Sequence, residues 1–191
     1  MLLEKIKSLA KQHQAENVSI RRHLHANPEL SYQEFETSKY VQAQLKAIGI
    51  PFTVIATTGV LGIIEGKNPS KRVVALRADM DALPIIEENK VDYISTKEGV
   101  MHACGHDVHT TILLGAAKIL WSLREEFEGT IKLLFQPGEE KNPGGASYMI
   151  RDGALKNPVP AGIVGLHVHP GLNHGKLSFR KGRVMASADE L

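Results

Sequence analysis

The sequence has 191 residues, of which 42% are hydrophobic and 23% charged, which is normal for a globular domain and excludes disorder of the chain as a whole. Lysine and arginine (23) nearly balance aspartate and glutamate (21), which excludes a nucleic-acid binder that relies on a strong positive charge. A single cysteine excludes an internal disulfide, and no apolar run approaches the roughly 20 residues of a membrane span, so we expect a soluble, cytoplasmic protein.

The first 50 residues have the apolar spacing of amphipathic helices. This periodicity predicts one helix or a pair of helices that ends before Pro28. A second helix is predicted to begin near Ser31, because Ser31 and Glu34 have the spacing of a capping box. Gly49 is expected to end this helix.

Beyond residue 50 the pattern changes to short apolar runs that alternate with helical periodicity. The predicted elements are strands at 52–56 and 60–64, a strand at 73–78, a helix at 107–124, a strand at 131–135, a helix at 146–155, a strand at 161–166, and strand-like segments at 176–179 and from 184 onward. The runs 73–78, 131–135 and 161–166 are typical of strands buried on both faces. The alternation predicts an α/β domain of three layers with a largely parallel central sheet.

Side chains that ligate metals follow each of these three runs. They are Asp79 and Asp81 after the first run, Glu139 and Glu140 after the second, and His167 and His169 after the third. Ligands of open α/β sheets bind outside the carboxyl ends of the strands. We therefore expect carboxylates and imidazoles from three strands to meet at one place.

A further group of such side chains precedes the helix predicted at 107–124. The segment MHACGHDVHT, residues 101–110, contains His102, Cys104, His106, Asp107 and His109. A structural zinc site prefers several cysteines in a closed tetrahedron. One thiolate among imidazoles and carboxylates instead favours an open site for hydrolysis, with room for water.

Each residue taken alone has a simpler interpretation. The aspartates could cap a loop, the glutamate pair could be solvated, and His169 or His174 could lie at the surface. Cys104 could be a small buried hydrophobic residue. Their conjunction at strand ends favours a metal centre.

A metal centre of this composition suits amide hydrolysis. A divalent ion lowers the pKa of its bound water from about 16 towards 7, and a second ion about 3.5–4 Å away helps to polarise the carbonyl. A carboxylate beside the ions can take the water's proton and pass it to the leaving amine. Glu139 and Glu140 could divide these duties, one as base and one as ligand.

Several motifs, in this order, resemble the M20 metallopeptidase family. The matching stretches are RRHLHANPELSYQEFET (21–37), LRADMDALPI (76–85), MHACGHDVHTTILLGAA (101–117), LLFQPGEE (133–140), GGA (144–146), GALKNP (153–158) and GLHVHP (165–170). They are most similar to its amidohydrolase branch, which includes N-acyl-amino-acid amidohydrolases, hippurate hydrolase, N-acetyldiaminopimelate deacetylase and plant auxin-conjugate hydrolases. The resemblance implies a three-layer catalytic fold of the zinc-exopeptidase type.

The resemblance also implies roles for individual residues. Cys104, His106, Glu140 and His167 fall on metal-ligand positions, and Glu139 falls on the general base. The cofactors implied are two divalent ions, with Mn, Zn, Co and Ni all compatible.

Five neighbouring side chains fall on or beside motif positions. Asp79, Asp81 and Asp107 fall on acidic positions that line the site or support its ligands, whereas His109 and His169 are expected to be neighbours only.

The resemblance further implies a longer protein. Its members continue into a smaller dimerisation domain and then return to complete the catalytic domain, and this sequence stops at MASADEL within a predicted strand. We therefore expect residues 1–191 to be the N-terminal portion of a catalytic domain, and the full-length protein to be a homodimer.

The leading functional prediction is a metal-dependent amidohydrolase that cleaves a small N-acyl amino acid, with no nucleic-acid or membrane partner. A dipeptidase or carboxypeptidase with the same centre is an alternative. An inactive metal-binding fragment and a pure interaction module are two further hypotheses.

Overall fold

The computed structural model of the chain describes residues 1–173, 175–179 and 181–182. Its elements are α1 (Leu2–Gln12), α2 (Gln14–Ala26), α3 (Phe35–Ile48), β1 (Phe52–Ile55), β2 (Gly59–Glu65), β3 (Val73–Asp79), α4 (His106–Ser122), a 3-10 turn (Arg124–Glu126), β4 (Thr130–Gln136), α5 (Gly145–Arg151) and β5 (Ile163–Gly165). The predicted pair of N-terminal helices is confirmed. Among the described helices, none combines the length and the apolarity that crossing a bilayer requires.

The five strands form one mixed sheet in the order β1-β2-β4-β3-β5. Strand β3 lies parallel to both β4 and β5, whereas the pairings β1–β2 and β2–β4 are antiparallel. The predicted α/β class is confirmed, and the parallel half of the sheet consists of the three apolar runs. Asp79 pairs with Gln136 in the register of β3 and β4, so both strands end at the same edge.

Helices cover both faces of this sheet, as the three-layer prediction requires. Side chains alternate between faces along a strand: Leu133 and Phe135 of β4 belong to the core formed with α2, α3 and α4. Leu134 belongs instead to a smaller cluster with Ala75 and Met149 of α5. Burial of these apolar surfaces, at roughly 25 cal/mol per Å² removed from water, stabilises both layers.

The capping box predicted at Ser31 and Glu34 is wrong. Helix α3 begins at Phe35, and no side chain of its N-cap residue Glu34 bonds to the first turn. Glu29 performs this task, since its Oε2 accepts a hydrogen bond of 2.8 Å from the backbone N–H of Thr37.

Two predictions about the last part of the chain also need correction. Strand β5 forms as expected but its residues are exposed rather than buried, because it lies at the edge of the sheet. Residues 176–179 form no strand. The strand predicted from 184 onward lies outside the described residues, as does His174.

Candidate metal centre

The side chains predicted to bind metal converge because the strands that precede them are parallel. Asp79 is the last residue of β3, Glu139 and Glu140 follow the end of β4, and His167 follows β5. Helix α4 begins at His106 beside the same edge of the sheet. The convergence expected from the sequence is therefore present.

His106 is buried at the centre of this group, with 1% of its surface exposed. Its Nδ1 lies 3.1 Å from Oδ1 of Asp81. Its Nε2 lies 3.7 Å from Oε1 of Glu140, and neither of these two buried atoms has a hydrogen-bond partner in the described structure. Because an unpaired buried polar atom is costly, two that face each other with lone pairs are the expected surroundings of a cation.

Three groups of potential ligand atoms share His106, and two of them contain its predicted fellow ligands. Cys104 and His167 form the first group with it, and Glu139 and Glu140 form the second; in each group the ligand atoms lie within 4.8 Å of one another. The Sγ of Cys104 lies 3.3 Å from Nε2 of His167. The donors in each group are mutually close enough to hold an ion, so the residues present fit divalent metals.

The electrostatics of Cys104 also favour a cation. Burial and the adjacent Glu140 carboxylate raise the pKa of its thiol to about 12. A coordinated divalent ion would instead lower the pKa of this thiol, since a coordinating thiol is deprotonated outright. The thiol would therefore ligate as a thiolate only with the ion present.

The loop segments around the site meet closely. Gly105 adopts a positive φ of 94°, and a Cβ at this position would collide with the side chain of Val168. Only glycine allows the segment that carries Cys104 to lie directly against the segment that carries His167.

Asp81 supports both His106 and the Glu140 loop. Its Oδ2 accepts hydrogen bonds from the Ser31 hydroxyl at 2.6 Å and from the backbone N–H of Glu140 at 3.0 Å. Burial alone would raise the pKa of Asp81, but the hydrogen bonds from His106, Ser31 and backbone amides outweigh it and lower the pKa to about 2. An ionised Asp81 fixes the imidazole of His106 with Nε2 directed to the other ligands.

Both carboxylate oxygens of Asp79 contact neighbouring side chains, His109 and Arg77. Its Oδ1 lies 2.6 Å from Nδ1 of His109, and its Oδ2 accepts a bond of 2.6 Å from Arg77. The Nε2 of His109 accepts a hydrogen bond of 3.0 Å from the backbone N–H of Val168. Asp79, His106 and His109 could together hold an ion by distance alone, but both nitrogens of His109 are engaged, which favours its interpretation as a neighbour.

Asp107 follows the predicted ligand His106 in sequence, but its side chain contacts helix α2. Its Oδ2 lies 2.7 Å from Nδ1 of His25 and 2.9 Å from Nε of Arg21, both on helix α2. Within the described ranges, none of the groups of close ligand atoms includes Asp107. It follows His106 directly on helix α4, where successive side chains point in different directions.

Two histidines remain at the margins of the site. His169 is exposed, and its Nδ1 accepts a hydrogen bond of 3.1 Å from the backbone N–H of Gly171. His102 is buried with its ring centroid 6.5 Å from that of His25, and burial lowers its pKa to about 4. Its ring is therefore neutral at pH 7.

Sequence reasoning missed the partners that the buried Asp81 and Asp107 have in the N-terminal segment. Ser31, His25 and Arg21 contact these aspartates across separations of 50 residues or more. The one signal available was that Arg21 and His25 lie four residues apart, on one face of a helix.

A model of peptidase family M20/M25/M40 matches residues 75–186, more than half of the chain. The chain belongs to this family. It is 44% identical over 190 residues to the N-acyl-L-amino acid amidohydrolase of Geobacillus stearothermophilus, covering 99% of this chain and 50% of that protein. It is also 44% identical over 191 residues to thermostable carboxypeptidase 2 of Saccharolobus solfataricus, covering 98% of this chain and 48% of that protein. The M20 chain thus spans about half the length of the curated relatives it matches.

A solved structure shares the fold. The YXEP protein of Bacillus subtilis, described as a dinuclear metal-binding peptidase from the M20 family, superposes with a TM-score of 0.80 at 39% sequence identity. The match covers 85% of this chain and 45% of that one. The resemblance inferred from the motifs is confirmed.

Proposed function

We propose that this M20 chain forms the metal-binding part of an amidohydrolase that cleaves the amide bond of a small N-acyl amino acid. The observation that carries the proposal is the pair of unpartnered buried atoms, Nε2 of His106 and Oε1 of Glu140, which face each other at 3.7 Å. The Bacillus subtilis relative of the same fold is described as dinuclear metal-binding, which supports two ions rather than one. Nε2 of His106 has one lone pair and would ligate only one of them.

In this proposal Cys104, His106, Glu140 and His167 hold two divalent ions, which could be Mn, Zn, Co or Ni. Bound there, the ions would lower the pKa of a coordinated water and polarise the substrate carbonyl. Thiolate and imidazole favour the softer of these metals, and carboxylate favours manganese.

Glu139 is proposed as the general base. Its side chain is 42% exposed, and its Oε2 lies 4.0 Å from Nε2 of His106. Burial and the charge of Glu140 raise the pKa of Glu139. A raised pKa makes Glu139 a stronger base towards the attacking water, and a carboxyl group that has taken this proton can pass it to the leaving nitrogen.

The relatives also favour a second substrate class. The Saccharolobus relative carries the name carboxypeptidase at the same 44% identity as the Geobacillus amidohydrolase. A carboxypeptidase or dipeptidase would use the same ions and the same base on a peptide bond.

The match to about half of each relative supports a proposal about the whole protein. Residues 1–191 would be the N-terminal portion of a catalytic domain, in a longer protein that forms a homodimer.

The test combines metal content with hydrolysis by the 191-residue chain. We expect about two Mn²⁺ per chain after desalting, fewer in Cys104→Ala and His167→Ala, and no change in the matched control His169→Ala. Glu139→Gln should keep its metal and lose about 10²-fold or more in kcat on N-acetyl or N-benzoyl amino acids.

Other results would contradict parts of the proposal. Release of amino acids from dipeptides alone would favour the peptidase. Metal retained without hydrolysis of any amide would favour a metal-binding fragment. Metal content unchanged in Cys104→Ala and His167→Ala would overturn the assigned centre.

A further inference from the structure

The segment that carries Glu139 and Glu140 is neither helix nor strand, so other contacts must fix it. It runs from the end of β4 to the start of α5. Asp81 fixes one part of the segment, because its carboxylate accepts a hydrogen bond from the backbone N–H of Glu140. Backbone bonds such as that from Gly145 N–H to the Gly138 carbonyl, at 2.8 Å, act within the segment. A second external support comes from residues 32–34, ahead of helix α3.

Glu34 makes the central contact of this second support. Its carboxylate is 0% exposed. Oε1 accepts hydrogen bonds from the backbone N–H of Gly138 at 2.7 Å and of Tyr32 at 2.8 Å, and Oε2 accepts one from the hydroxyl of Thr58 at 2.7 Å. All three donors are neutral, so hydrogen bonds alone, without an opposite charge, offset the desolvation of the buried carboxylate.

Tyr32 extends the same support to the other end of the segment. Its φ of 65° lies in the left-handed region, which few residues other than glycine adopt. The bond from its N–H to Glu34 helps to hold that conformation. Its ring lies against Gly138, where a Cβ would collide with it, and its hydroxyl donates to the carbonyl of Lys141 at 2.8 Å.

We propose that Glu34 is a positioning residue that holds Glu139 and Glu140 in place through Gly138 and Tyr32. The inference deepens the proposed function, because its effect on hydrolysis depends on Glu139 and Glu140 having the roles assigned above. The side-chain hydrogen bonds of Glu34 go to Tyr32, Thr58 and Gly138 rather than to the proposed ligands. A displacement of about 1 Å in such a segment can cost about 10²-fold in rate.

Hydrogen-bond geometry, rather than charge, is what this role requires. Burial raises the pKa of Glu34, although the bonds from Thr58, Gly138 and Tyr32 partly offset it. In Glu34→Gln the amide oxygen would accept the two backbone N–H groups, and the amide nitrogen would donate to the Thr58 hydroxyl, which can accept. Glu34→Gln should therefore rescue the function that Glu34→Ala and the shorter Glu34→Asp lose.

Hydrogen exchange gives a readout that does not depend on activity. In the metal-free 191-residue chain, we expect Glu34→Ala and Glu34→Asp to increase amide exchange at least tenfold in a peptide covering residues 136–141, with strand β3 unchanged. Glu34→Gln should stay within about threefold of the wild type. Tyr32→Phe, which removes the bond to Lys141, should raise exchange in the same peptide and gives a milder variant if Glu34→Ala does not fold.

Glu29→Ala is the matched control, because Glu29 is a buried carboxylate of the same segment whose polar partners are Thr37 and Lys97 rather than residues 137–141. It should lower stability without changing exchange at 136–141. In the Mn²⁺-loaded chain, we expect Glu34→Ala to lower kcat at least tenfold with KM within about threefold, and Glu29→Ala to leave both unchanged.

The outcomes separate the two proposals. Faster exchange at 136–141 in Glu34→Ala, in a chain that hydrolyses no amide, would support the positioning role and overturn the proposed function. The positioning role would be overturned if Glu34→Ala had the same exchange at 136–141 and the same kcat as Glu29→Ala. It would also be overturned if Glu34→Gln were as impaired as Glu34→Ala.

Discussion

At the scale of single residues, His109 connects two parts of the candidate centre through hydrogen bonds. Its Nε2 accepts the backbone N–H of Val168, so the ring proton resides on Nδ1 and is donated to Asp79. The ring also packs against His167, with centroids 4.6 Å apart. His109 therefore determines where the segment after β5 places His167.

This arrangement predicts different effects for two polar substitutions at His109. His109→Asn keeps a donor near Asp79 but removes the acceptor for Val168, so Mn²⁺ affinity should fall about tenfold or more, as is usual when a partner that orients a ligand is lost. His109→Gln places an amide oxygen near the former Nε2 and should lose less. Calorimetric titration with Mn²⁺ would measure both variants, and a larger loss in His109→Gln would contradict the assignment.

At the scale of elements, a buried ionic cluster joins helix α2 to the start of helix α4. His25 lies between two carboxylates, with Nδ1 2.7 Å from Asp107 and Nε2 2.9 Å from Glu87. The charged or titratable side chains that face His25 are Arg21, Glu87, Tyr93, His102 and Asp107. The hydrogen bond to Asp107, supported by that to Glu87 and opposed by burial, raises the pKa of His25.

A raised pKa in the folded state makes the contribution of His25 depend on pH. The folded chain binds this proton more tightly than the unfolded chain, so the stabilisation is complete below the ordinary histidine value of about 6.5 and is lost as pH rises through the folded pKa. We expect the difference in unfolding free energy between wild type and His25→Gln to be largest near pH 6 and to shrink at higher pH. Urea unfolding of the metal-free chain at several pH values would test this, and a difference that grows with pH would contradict it.

The elements that carry the candidate centre could be predicted from sequence because their signals are local. Apolar runs predict β3 and β4, and the parallel arrangement then brings Asp79 and Glu140 to one edge. Glu34 shows where local reasoning fails. The spacing from Ser31 predicts a capping box, but the position of its carboxylate is decided by Gly138 and Thr58, which approach only when the chain folds. The partner of Asp107 could not be predicted for the same reason, since His25 lies 82 residues away.

At the scale of the whole molecule, the sheet has two edges of different character. The β1 edge lies far in strand order from the site, whereas β5 is adjacent to β3 and leads directly to His167. Ile163, Val164 and Leu166 on or next to β5 are about half exposed. The run 161–166, predicted as a buried strand, thus forms an apolar edge in the described structure. Unpaired apolar edges promote pairing with another chain.

This edge predicts concentration-dependent self-association of the 191-residue chain. Val164, which is 52% exposed, lies in β5, and a lysine there would place a charge on the edge strand. We expect Val164→Lys to lower the weight-average mass measured by sedimentation at high protein concentration, because a lysine on an edge strand disfavours pairing with a second chain. Val159→Lys is the matched control, since Val159 is 72% exposed but precedes the strand. Equal masses for the two variants would show that β5 is not the associating edge, whereas a reduction confined to Val164→Lys would place the contact beside the segment that holds His167.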